Sequence, residues 1–172
     1  MPNYDFHLRS QHLRFGIWRH DLLELAERLW LNPEVSRYIT ASGKFSQVEV
    51  KVRLQQEIDN QVNFKLQYWP LFDLENHFIG CCGLRPRAPS QQIYEIGVHL
   101  LPEYWGKNYA YEALETIIEF SRQQKYSKLF AGHNPVNQAS QRMLLKLNFV
   151  WVKNEFYEPT GLEHPSYELI LG

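Results

Sequence analysis

Residues 93–113 read Ile93-Tyr94-Glu95-Ile96-Gly97-Val98-His99-Leu100-Leu101-Pro102-Glu103-Tyr104-Trp105-Gly106-Lys107-Asn108-Tyr109-Ala110-Tyr111-Glu112-Ala113. The apolar alternation predicts a strand over 92–101, which Pro102 ends. A short polar turn then opens into a helix over 108–124, where Ala110, Ala113, Leu114, Ile117 and Ser121 share one face. The first amides of a helix have no acceptor within it, and the helix dipole adds partial positive charge at the same end. With Lys107 beside it, this turn suits a phosphate or pyrophosphate. Gly106 lets the backbone come close to such a guest, and Asn108 tolerates a left-handed conformation better than most residues.

Around this stretch the chain has 172 residues, of which 44% are hydrophobic and 15% aromatic. That is the material of one domain, 1–172, with a substantial core. A formal net charge of -1 gives no sign of a nucleic-acid or membrane partner. The two cysteines, Cys81 and Cys82, are adjacent in an apolar run, so on a strand they point to opposite faces and do not bridge. Two buried thiols, no leader-like apolar stretch and no spanning segment lead to the expectation of a soluble cytoplasmic protein. The seven histidines show no metal-ligand spacing, so no metal is expected.

The flanking chain predicts a first strand at 7–15 and a helix from Asp21 through Trp30, closed by Asn32-Pro33. Ser46 and Glu49 have the spacing of a capping box, which starts a second helix. Val48, Val52, Gln55 and Ile58 make only a loose inner side for it, so it reads as a surface flap. Strands at 64–72 and 77–84 suggest a hairpin, and a strand at 128–132 precedes a helix at 137–147. Asn148 suits a left-handed residue after that helix. Strands at 150–157 and 166–171 finish the chain. The order β-α-α-β-β-β-α-β-α-β-β argues for an α/β (α+β) fold with a mixed sheet and helices on both faces.

With these elements placed, the chain resembles the GNAT acetyltransferase superfamily, specifically its ribosomal-protein N-terminal acetyltransferase-like branch. Three segments carry the resemblance by their order and spacing. They are Phe78-Ile79-Gly80-Cys81-Cys82-Gly83-Leu84, then Glu95 through Ala113, then Asn134-Pro135-Val136-Asn137-Gln138-Ala139-Ser140 with Lys146-Leu147-Asn148-Phe149. The resemblance implies a mostly antiparallel central sheet of about seven strands. It also implies acetyl-CoA as acetyl donor, with pyrophosphate on the loop Trp105, Gly106, Lys107, Asn108, Tyr109 and Ala110. The pantetheine arm would pair with the backbone near Val98, His99 and Leu100. The family's usual second loop glycine is replaced here by Asn108.

Glu95, Gly97 and His99 share one strand face, and the glycine makes room there. Glu95 is either the group that takes the amine's proton, directly or through water, or a structural partner of Arg85. His99 and His133 are lesser candidates for that base. Asn137 matches the family's pantetheine ligand and is equally a helix cap. Where many family members place a tyrosine acid this chain has Leu144, and Ser140 is the candidate to support the departing sulfur. Lys146 is either a contact to the adenosine phosphates or a solvated lysine. Arg37, Tyr38 and Trp69 are possible acceptor contacts.

The resemblance implies an N-acetyltransferase acting on a primary amine by direct attack in a ternary complex. The rival is an acyl-CoA-binding sensor without turnover. A nucleotide-binding enzyme is disfavoured, because neither a Walker-type run nor a dinucleotide fingerprint is present. The acceptor, whether a peptide N-terminus or a small molecule, stays open, as does monomer against homodimer.

Overall fold

The computed structural model describes residues 3–172. Its centre is an eight-stranded sheet in the order β1-β2-β3-β4-β5-β6-β8-β7. These strands are β1 (Leu8–Arg9), β2 (Leu13–Phe15), β3 (Tyr68–Asp73), β4 (Phe78–Ala88), β5 (Ile93–Leu100), β6 (Lys128–Gly132), β7 (Val150–Tyr157) and β8 (Leu162–Ile170). Every neighbouring pair is antiparallel except β5 and β6. The expected first strand divides into the β1–β2 hairpin, which brings the sheet to eight strands where about seven were expected. Strand β4 is apolar along most of its length and buried on both faces, as a central strand must be.

Helices α1 (Leu23–Trp30), α2 (Pro33–Ser36), α3 (Gln47–Phe64), α4 (Tyr109–Gln123) and α5 (Gln138–Lys146) complete the fold. Two apolar clusters lie on opposite faces of the sheet. One joins Leu84, Ile96 and Leu100 to Leu114 and Ile117 of α4 and Leu144 of α5. The other joins Trp18 and Phe78 to Leu29 and Trp30 of α1 and Val50 and Leu54 of α3. Cys82 belongs to the first cluster and Cys81 to the second, so the adjacent thiols sit on opposite faces, both free and buried.

Pro33 does not only close the first helix. It opens α2, which Asn32 caps through Glu34 N–H at 2.9 Å. At α3 the Ser46–Glu49 capping box is present in both directions. The inner face of that helix differs from the expected one. Val48 and Val52 are 71% and 53% exposed, while Val50, Leu54 and Glu57 are buried. Helix α3 is therefore a packed element and not a flap, and it carries a carboxylate into the interior. Asn148 takes the left-handed conformation expected of it, with φ of 69°.

Candidate active site

Strand β5 pairs with β6 only at Ile93–Lys128, Tyr94–Leu129 and Glu95–Phe130, whereas its pairing with β4 runs on to Leu100. Beyond Glu95 the two strands part. The bond from Leu101 N–H to Ile79 O fixes which way the peptide groups face. Glu95, Gly97 and His99 turn theirs to β4, and Ile96, Val98 and Leu100 turn theirs to the open side. The main chain of His99 is thus already used by β4, in contrast to the expectation that it joins Val98 and Leu100 at the free edge. The Leu100 carbonyl accepts from the Trp105 indole at 2.9 Å, which ties the loop to the strand end.

The gap between β5 and β6 widens into a cleft of about 810 Å³, within the ordinary range for a small-molecule site. The loop after β5 forms one end of it. Gly106 has φ of 75° and Asn108 has φ of 67°, so Asn108 holds the left-handed conformation where the family more often has glycine. The Asn108 side chain makes no cap. The first intrahelical bond of α4 is Glu112 N–H to the Asn108 carbonyl, at 3.1 Å. The amides of Tyr109, Ala110 and Tyr111 therefore have no acceptor within the helix. Trp105, Gly106, Asn108, Tyr109 and Ala110 all line the cleft. The Lys107 ammonium instead lies 5.6 Å from the centre of the Tyr104 ring, and Lys107 is not among the lining residues.

Helix α5 forms the other wall, and Asn137, Ser140 and Leu144 line it. The Asn137 carbonyl oxygen caps the helix by accepting from Ser140 N–H at 3.2 Å. That leaves its amide N–H groups for a second partner, so the two readings of Asn137 are compatible. Leu144 is buried in the core. Lys146 lies outside the cleft, its ammonium 4.1 Å from the centre of the Tyr111 ring.

Glu95 sits half-buried where β5 and β6 separate. Its cross-strand neighbour is Arg85, but the structural pair that was the alternative to a base is not formed. The Arg85 Nε lies 3.2 Å from Glu57 Oε1, and its guanidinium stacks 4.0 Å from the centre of the Tyr68 ring. No ion pair joins Glu95 to any of the described residues. The other Glu57 oxygen accepts from Tyr68 N–H, so both oxygens are occupied.

The two histidines are poorly placed to act as bases. His99 Nδ1 accepts from the Trp30 indole at 3.1 Å. Burial, reinforced by the Arg53 and Arg85 charges, pushes its pKa well down. His133 Nδ1 lies 2.8 Å from the Asn134 carbonyl, which requires an N–H there, and its Nε2 meets the Tyr167 hydroxyl at 3.2 Å. Cys81 lies 3.7 Å from His99, yet burial pushes its thiol up to about 12, so the contact is not a thiolate–imidazolium pair.

Arg37 and Tyr38 line the cleft mouth, stacked on one another with 4.6 Å from guanidinium carbon to ring centre. Their loop is anchored by Ala41 N–H to the Pro159 carbonyl on the β7–β8 turn. Trp69 is a core residue instead, donating to Gln61 at 2.9 Å and packed edge-on to Phe120. The sequence reading missed Arg53, Glu57 and Tyr68. The available signal was the spacing of Val50, Arg53, Leu54 and Glu57 on one face of α3.

Among the described residues no group of three His, Cys, Asp or Glu side chains is arranged to hold a metal, and no helix is long and apolar enough to cross a membrane.

Known proteins share this architecture. The acetyltransferase (GNAT) domain model matches residues 13–150. The uncharacterized N-acetyltransferase p20 of Bacillus licheniformis is 26% identical over 125 residues, covering 70% of this chain and 68% of that protein. An acetyltransferase of Salmonella typhimurium that modifies the N-terminal serine of ribosomal protein L7/L12 superposes with a TM-score of 0.80. It is 16% identical, over 95% of this chain and 97% of that one. Spermidine N-acetyltransferase of Vibrio cholerae, solved with CoA and spermine, gives a TM-score of 0.78 at 14% identity, over 94% and 97% of the two chains. With a family model spanning most of its length and the splayed strand pair in place, the chain belongs to the GNAT family as an acyl-CoA-dependent N-acetyltransferase.

Proposed function

We propose that the protein transfers an acetyl group from acetyl-CoA to a primary amine by direct attack in a ternary complex. One observation carries this reading: the unpaired edge of β5 and the uncapped start of α4 border one continuous cleft. A long, flexible cofactor with a pyrophosphate suits that arrangement. The amides of Tyr109, Ala110 and Tyr111 hold the pyrophosphate. The peptide groups of Ile96, Val98 and Leu100 hold the pantetheine arm as an added strand, and the free amide of Asn137 steadies it from α5.

Acetyl-CoA supplies a thioester carbonyl for the amine to attack. Glu95, at the apex of the splay and free of an ionic partner, takes the proton of the incoming amine directly or through one water. The Val98 or Leu100 amide polarises the carbonyl, and the Ser140 hydroxyl donates to the departing sulfur. The buried cysteines are not used, since neither is exposed as a thiolate.

Acceptors of both kinds, protein N-termini and polyamines, are named for structural neighbours of this chain. Mass spectrometry of a peptide and amine panel with acetyl-CoA tests the transfer. Product on any amine is the expected result. Acetyl-CoA binding without product on any of them would replace this reading with that of an acyl-CoA sensor.

A further inference from the structure

At the acceptor end of the cleft, α3 and β4 bring two part-buried guanidinium groups together. Arg53 and Arg85 both line the cleft. Arg53 Nε and Arg85 Nη2 are shut off from solvent and have no hydrogen-bond partner among the described residues. Arg53 lies over two aromatic rings, 5.0 Å from the centre of the Trp30 ring and 5.4 Å from that of Phe45. No ion pair reaches it from the described residues. The one buried carboxylate nearby, Glu57, is spent on Arg85 Nε and Tyr68 N–H.

Charge bookkeeping makes the asymmetry plain. Arg85 pairs with Glu57, and with Glu95 the two guanidinium groups and two carboxylates sum to zero, yet among the described residues no carboxylate lies within ion-pair reach of the part-buried Arg53. Glu95 and His99 lie across from it on β5, and His99 is held neutral between Trp30 and the two arginines. Glu34 and Arg37 stand at the mouth with opposite charges. Burying an unpaired cation is costly, and an arginine's planar donor fork matches a carboxylate better than any other common group. A polyamine acceptor brings further positive charge and no partner for Arg53.

We infer that the acceptor is an amine that also carries a carboxylate, received by Arg53 and the free edge of Arg85. The inference rests on the transferase reading above. Arg85 and Glu95 are cross-strand partners, so the carboxylate and the reacting amine lie only a few atoms apart in the acceptor. Two sources fit: a free amino acid, or a peptide whose first residue is acidic.

Binding tests the inference without requiring turnover. Calorimetry on the CoA-saturated protein would compare ω-amino carboxylates of graded length with their amides, and Asp- or Glu-initiated peptides with their Asn or Gln counterparts. At least one acid should bind about tenfold tighter than its amide, the worth of one charge-assisted hydrogen bond. Which series shows the preference identifies the source. Arg53→Met should erase the preference, and Arg53→Lys should restore part of it if the Met variant folds poorly. Equal binding of acid and amide in every pair overturns the inference, as does tight binding of spermidine at the same site. A carboxylate preference without acetyl transfer would overturn the transferase reading instead and leave Arg53 and Arg85 as a carboxylate-binding site.

Discussion

The phenol of Tyr68 occupies the space that any side chain on Gly97 would need. A β-carbon at Gly97 would stand 2.4 Å from the Tyr68 hydroxyl oxygen and 2.6 Å from the ring carbon that bears it. The ring has little freedom to retreat, because Arg85 stacks on one face and His99 abuts it edge-on. Gly97→Ala should therefore destabilise the protein by about 1–3 kcal/mol, as overpacking of a rigid core does. Urea unfolding measures the loss. Tyr68→Leu in the Gly97→Ala background should recover part of it, and strictly additive losses would show that the clash is relieved elsewhere.

Asn108 holds a left-handed backbone at the first turn of α4 without capping it. The conformation is what the loop requires, so Asn108→Gly should leave CoA affinity within about twofold. Asn108→Val should weaken it about tenfold, since a β-branched residue pays at least 1 kcal/mol to enter that region. Isothermal titration with CoA separates the two. Equal weakening by both variants would assign the side chain itself to the cofactor.

Glu57 is 1% exposed and ion-paired to Arg85 at 3.2 Å. Glu57→Gln leaves the arginine without its charge partner inside the protein, and the expected cost is about 3 kcal/mol. Chemical denaturation reads it directly. A loss below about 0.5 kcal/mol, typical of surface pairs, would mean that the chamber is wetter than its packing indicates.

The mechanism predicts a division of labour between two polar residues. Asn137→Ala should raise the KM for acetyl-CoA with little change in kcat. Glu95→Gln should lower kcat by about a hundredfold or more, the usual worth of a positioned base, and make the low-pH limb of the rate profile shallower. An unchanged pH profile in Glu95→Gln would remove that carboxylate from the proton transfer.

His99 gives stability a pH dependence of known sign. Burial and the Arg53 and Arg85 charges depress its pKa in the native state. The unfolded chain takes up a proton near pH 6.5 that the native state refuses, so stability falls as pH drops below about 6.5. His7 and His164, also depressed by burial, act in the same direction. Denaturation at pH 7.5 and 5.5 should show the decline. His99→Gln, which keeps an acceptor for the Trp30 indole, should flatten it by up to about 1.4 kcal/mol per pH unit. A slope unchanged by that substitution would show that His99 protonates within the fold.

The elements that position the cofactor end were legible because their signals are local. Pro102, Gly106 and the apolar spacing of α4 lie within one continuous stretch, and the Ser46–Glu49 cap is complete within four residues. The acceptor end was not legible for the opposite reason. Arg53 and Glu57 look like solvated charges on a weakly amphipathic helix, and what neutralises Glu57 is an arginine 28 residues further along the chain. Glu95 and Arg85 do face one another across strands, but the competing carboxylate from α3 takes the arginine. Trp69, in turn, was indistinguishable by sequence from an aromatic lining a pocket, because burial in the core and burial against a ligand select the same residue type.

The parting of β5 and β6 gives the molecule a pivot. Among the described residues the strand ladder between β1–β5 on one side and β6, β8 and β7 on the other has three paired positions, and Glu95 is the last stitch in it. When two slabs swing about such a seam, displacement grows with distance from it and vanishes at the seam itself. Any such swing is felt most at the wide end, near Leu100 and the α4 turn, and least by the carboxylate at the hinge line. Movement and precision are assigned to opposite ends of one wedge.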